Sequence, residues 1–172
     1  MIESTPHIVL CILLIAIAYQ DFKFRAIHFF LVLGLFICAL FILWFYLNSF
    51  EEFLYTALFI GVVLFLLWIY IRIKYNHVEK SFVNSIGLGD ILFFFAVAPL
   101  FSLKNYMLFF ISGMVISLIF YILFKNKMKT LLIPLAGILS CYLFLLIIIS
   151  FVFDLDLFYQ PISIIAFGNE HY

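Results

Sequence analysis

The sequence predicts an all-α polytopic membrane protein, a bundle of six transmembrane helices with the N-terminus and C-terminus outside. Three observations carry this expectation. Of 172 residues, 69% are hydrophobic and only 10% charged, whereas a soluble domain has about a quarter charged residues. Six apolar runs can each reach the ~20 residues that a helix needs to cross a bilayer. Finally, Lys and Arg fall almost entirely on one side of the topology that these six runs define. Residues 1–156 are expected to form the bundle as one domain, and 157–172 a short external or interfacial tail. The formal net charge is zero, which gives no sign of a nucleic-acid partner; the lipid bilayer is the partner that composition demands.

The first apolar run, Ile8 to Tyr19, is too short alone and spans only by extending back to Ile2 and forward to Phe24, which places Asp21 on the helix near one membrane face. A second span runs from Ile27 to Leu47. Asn48 to Glu52 reads as a tight acidic turn, with Glu51 and Glu52 solvated. The third span covers Phe53 to Ile71, and Arg72 to Ser85 is the longest polar connection. The fourth run, Ile91 to Leu103, contains Pro99 and spans only if it begins near Ile86, taking Gly87, Gly89 and Asp90 with it. The fifth span is Tyr106 to Phe124 and the sixth Leu131 to Phe153, with Pro134 early.

Orientation follows from the connections. Those after spans one, three and five hold Lys23, Arg25, Arg72, Lys74, Lys80, Lys125, Lys127 and Lys129, and the opposite side holds only Lys104. Cationic connections stay in the cytoplasm, so both termini are expected outside. Asp21 closes a descending span and Asp90 opens a rising one, so the two carboxylates share one depth on the cytoplasmic face.

An Asp at the centre of a spanning helix costs about 2.5–3.5 kcal/mol on insertion scales, so two at matched depth call for an explanation. Two neighbouring carboxylates cannot both ionise readily, and the pair shares a proton. The ionised member can draw a proton from water while the protonated one hydrogen-bonds a scissile carbonyl, which is the chemistry of an aspartic protease. Gly87 and Gly89 would let a peptide backbone approach Asp90 closely. The structural alternative has Asp90 capping its own helix and Asp21 reaching into the headgroups. Which Asp acts as base and which as acid is not legible here.

Other residues suggest less. Cys11, Cys38 and Cys141 lie far apart in apolar runs and read as small buried hydrophobes. His28 and His77 lack the carboxylate spacing of a metal site, so neither metal nor cofactor is expected. Lys125, Lys127 and Lys129 are a topology signal. The N-terminus lacks a basic stretch, so no cleaved signal peptide is expected.

Tyr19-Gln20-Asp21-Phe22-Lys23-Phe24-Arg25-Ala26-Ile27-His28 and Ile86-Gly87-Leu88-Gly89-Asp90 resemble the two Asp motifs of the type IV prepilin peptidase family, which includes the archaeal preflagellin peptidases. Ile133-Pro134-Leu135-Ala136-Gly137 resembles the segment that opens that family's late helix. The resemblance implies that Asp21 and Asp90 are the catalytic pair of an inner-membrane endopeptidase. It would remove a short basic leader from prepilin-like precursors at the cytoplasmic face, serving a type IV pilus or protein secretion. His28 stands where the family has Pro, and Leu92 where many members have Lys. The extension that methylates the new N-terminus, with its paired cysteines, has no counterpart, so cleavage without methylation is expected. Two alternatives stand beside this reading. One is a Gly-x-Gly-Asp intramembrane protease of presenilin or signal-peptide-peptidase type. The other is a non-catalytic membrane component of a secretion or pilus assembly system.

Overall fold

A computed structural model describes residues 5–47, 50–74, 87–125, 134–153 and 158. Every described element is helical: α1 (Thr5–Phe24), α2 (Phe29–Ile42), α3 (Phe50–Lys74), α4 (Leu88–Val97), α5 (Leu103–Phe124) and α6 (Leu135–Phe153). Four of them, at Pro6–Phe24, Phe50–Ile73, Leu103–Phe124 and Leu135–Phe153, are long and apolar enough to cross a membrane.

The helices are apolar on all sides, so the inward face is set by packing. The buried residues of α1 include Leu10, Leu14, Ile17 and Asp21, whose helical spacings of four, three and four form one stripe. Ile8, Ile12, Ile15 and Tyr19 lie outward. That stripe packs chiefly against α6 and α2. On α2, Val32, Leu35, Ala39 and Ile42 face inward, and the helix then loosens into a π-turn over Leu43–Leu47. The α1–α2 link is short. Arg25 takes a left-handed conformation (φ 55°) and its amide bonds the Asp21 carbonyl at 3.0 Å, which ends α1. His28 then caps α2 from an extended conformation, its amide donating to Gln20 Oε1 at 3.0 Å.

The α3 helix begins at Phe50, three residues before the expected span, because Glu51 and Glu52 occupy its first turn, where carboxylates complement the helix dipole. Glu52 is no free surface charge: its Oε2 accepts the Leu103 amide at 3.0 Å and caps α5.

The shortest helix is the most enclosed. In α4, Phe93, Phe94, Ala96 and Val97 are buried, and so are Ala98, Pro99 and Leu100 of the 3-10 turn that follows. Ten α-helical and three 3-10 residues reach about 21 Å, against ~30 Å of hydrocarbon. Pro99 sets this limit. It has no amide to offer Phe95, and the Ala98 amide turns to the Phe95 carbonyl instead, which leaves the Phe94 carbonyl without its helical partner. The Tyr106 hydroxyl supplies one at 3.1 Å. Beyond the turn, the Ser102 amide bonds the Phe158 carbonyl at 2.9 Å and the Phe158 ring lies 5.1 Å from Phe101. Irregular backbone at membrane depth therefore meets protein partners, as a lipid environment requires.

The expected sixth span begins in part outside the described residues, which resume at Pro134; so do the expected sites of His77, Lys80, Lys127 and Lys129.

Candidate active site

Two ionisable side chains from distant parts of the chain meet at the first turn of α6. Asp21 is reached by the inward stripe of α1, where its register with Leu14 and Ile17 carries it into the core; it is 5% exposed. A side chain extended into the headgroups would not be enclosed in this way. Asp90 is half-buried in the first turn of α4, whose N-cap is Gly87 with no side-chain cap. The Asp90 amide bonds the Gly87 carbonyl at 3.0 Å, while its carboxylate reaches across to α6.

Both carboxylates are held by α6. Pro134 precedes the helix, and the Ile138 amide closes its first turn on the Pro134 carbonyl at 3.0 Å. The amides before it in that turn have no intrahelical acceptor. The Ala136 amide donates to Asp90 Oδ1 at 3.0 Å, and the Gly137 amide donates to Asp21 Oδ2 at 2.6 Å. Hydrogen bonds to charged groups contribute about 1.5–3 kcal/mol, and the positive end of a helix adds ~0.3–1 kcal/mol. Together these offset most of the insertion cost of each Asp. The two carboxylates thus sit on consecutive amides of one helical turn.

The glycines serve different neighbours. A Cβ at Gly87 would stand 3.0 Å from Asp90 Oδ2, whereas one at Gly89 would meet Ile27 Cδ1 at 3.2 Å. Gly87 thus leaves the carboxylate uncovered, and Gly89 admits the α1–α2 link against α4. Gly137 is bare for a third reason: a Cβ there would lie 3.0 Å from Asp21 Oδ2 and 3.1 Å from Asp21 Cβ.

The structure brings Asp21, Asp90 and Gly87 to one locus; Ala136 and Gly137 stood in the sequence only as part of the Ile133–Gly137 segment, with no role given, because their contribution comes from backbone. The signal available was a Pro that opens a helix with a Gly three residues later. Leu92 is 38% exposed, and His28 is exposed. Tyr19 is 59% exposed and its hydroxyl accepts a 2.7 Å hydrogen bond from Lys23 Nζ. Among the described residues, no three of His, Cys, Asp and Glu converge as a metal site would need.

A bundle of apolar helices, four of them long enough to cross a membrane, that brings two carboxylates together at one end defines the class as a membrane protein with a polar site between its helices. The model of the type IV leader peptidase family matches residues 8–122. The chain belongs to that family, and is a leader-peptidase-type protease of the membrane. No curated protein and no solved structure matches it significantly.

Proposed function

We propose that this protein is an aspartic endopeptidase that removes the leader from prepilin-like precursors, with Asp21 and Asp90 as its catalytic pair. The observation that carries the reading is the seating of both carboxylates on consecutive amides of α6, 46 residues along the chain from one and 116 from the other. In this reading one aspartate, ionised, takes a proton from water as the oxygen attacks the scissile carbonyl. The other, protonated, hydrogen-bonds the carbonyl oxygen and then protonates the leaving amine. No metal takes part.

The proposal extends to topology. Six spans put the ends of α1, α3 and α5 on one side with the cationic connections, so the pair would face the cytoplasm across the inner membrane, with both termini outside. The outward position of Tyr19 favours this reading over a presenilin-type site, where a Tyr precedes the Asp.

Co-expression with pilin-like precursors tests it, with leader removal followed by mass shift. Wild type should cut, and Asp21→Asn and Asp90→Asn should each abolish cleavage. Asn keeps an acceptor for the α6 amides, so the fold should persist while proton transfer is lost. Mutants that cut as well as wild type would refute the catalytic assignment.

A further inference from the structure

The contacts at α6 differ from an ordinary cap, because the donors are adjacent residues and the acceptors come from two other helices. Each contact occupies one oxygen of a carboxylate: Asp90 Oδ1 and Asp21 Oδ2. Among the described residues, no hydrogen bond reaches Asp90 Oδ2 or Asp21 Oδ1. These two oxygens remain for water and peptide. They are not equivalent, since Asp21 is almost fully enclosed while Asp90 Oδ2 lies beside the exposed Gly87.

Resting on the peptidase reading above, we propose that the first turn of α6 is the positioning element of the aspartate pair. Ala136 and Gly137 are its positioning residues, and Asp90 Oδ2 is the oxygen it presents to peptide arriving across Gly87. Fixing one oxygen of each carboxylate on a rigid helix end removes rotational freedom from the pair before substrate binds, which is where preorganisation lowers a barrier. The absent side chain at Gly137 is a condition of this arrangement, because any Cβ there displaces Asp21.

The test compares Gly137→Ala with Gly113→Ala. Gly113, on α5, abuts the side chain of Leu139 on the same α6, so a methyl there crowds that helix through Leu139 and Tyr142 rather than through either carboxylate. Gly137→Ala, whose Cβ asks Asp21 to give by a few tenths of an ångström, should lower kcat by about five- to tenfold, with KM within about twofold of wild type. Gly113→Ala should lower the unfolding midpoint and leave kcat within about twofold. Equal kcat losses in the two variants, or a loss confined to KM, would overturn the proposal.

A second arm needs no activity. Gly137→Ala should lower the unfolding midpoint in wild type but not in an Asp21→Gly background, where the atoms it would strike are gone. Additive shifts would overturn the contact itself. A coupled cycle in a protein that cuts no precursor would overturn the proposal through the peptidase reading and leave the contact standing.

Discussion

Replacing Gly87 by Ala should separate activity from stability. The residue has φ −60° and ψ 128°, angles that Ala adopts without strain. At a helix N-cap the exchange of Gly for Ala costs about 0.5–1 kcal/mol, which lowers the unfolding midpoint by less than ~4 °C in a chain of this size. The new Cβ, however, would sit 3.0 Å from Asp90 Oδ2 and 3.6 Å from Cγ, where ordinary contact begins at 3.4 Å. The carboxylate must therefore retreat by roughly 0.4 Å. If a 1 Å misplacement costs about a hundredfold, this shift costs about sixfold in kcat, or ~1 kcal/mol of barrier. Covering the oxygen should also raise KM. The assay is steady-state cleavage of a precursor by purified enzyme in detergent, with thermal unfolding of the same samples. Wild-type kcat and KM for Gly87→Ala would refute the argument that Asp90 Oδ2 works from this side.

Three further outcomes follow from contacts away from the carboxylates. Tyr106→Phe would leave the Phe94 carbonyl without its partner inside the bundle, a loss of about 1–3 kcal/mol visible in thermal unfolding, while cleavage rates stay near wild type. Glu52→Ala removes the acceptor for the Leu103 amide and should cost about 0.5–2 kcal/mol; Glu52→Gln should recover most of it, and the two midpoints check this. His28→Pro, which restores the residue typical of the family, suits the φ of −68° at that position. It forfeits the bond to Gln20, about 0.5–1.5 kcal/mol, against a gain of ~0.4–1 kcal/mol from a stiffer unfolded chain. The midpoint should therefore move by less than about 1 kcal/mol equivalent, with cleavage retained.

The carboxylates could be found in the sequence because an ionisable residue in an apolar run has a cost that must be met. Asp21 and Asp90 therefore stood out by chemical type. Their common depth followed from the alternation of helices, and α1, α4 and α6 do bring their ends together. The inward facing of Asp21 was not legible, since Leu14 and Ile17 on one side of α1 are no more apolar than Ile12 and Ile15 on the other. The amides of Ala136 and Gly137 had no letter of their own, because every residue but proline carries one. Glu52 was misjudged for a related reason: next to Asn48 and Ser49 it reads as part of a turn, and only the neighbouring start of α5 gives its carboxylate a task. Pro99 gave a partial signal. It marked a disturbance in the fourth run, but not that α4 would end there and rely on Tyr106 and Phe158 to complete its backbone.

The seat shared by the two aspartates also sets an order in time. A chain emerging from the ribosome delivers Asp21 first and Asp90 later, and neither finds its amide until Pro134 and the turn behind it have entered the bundle. Until then the carboxylates lie in a half-built protein without the contacts that hold them side by side. Biosynthesis thus withholds the assembled pair from the membrane until nearly all of the bundle is in place.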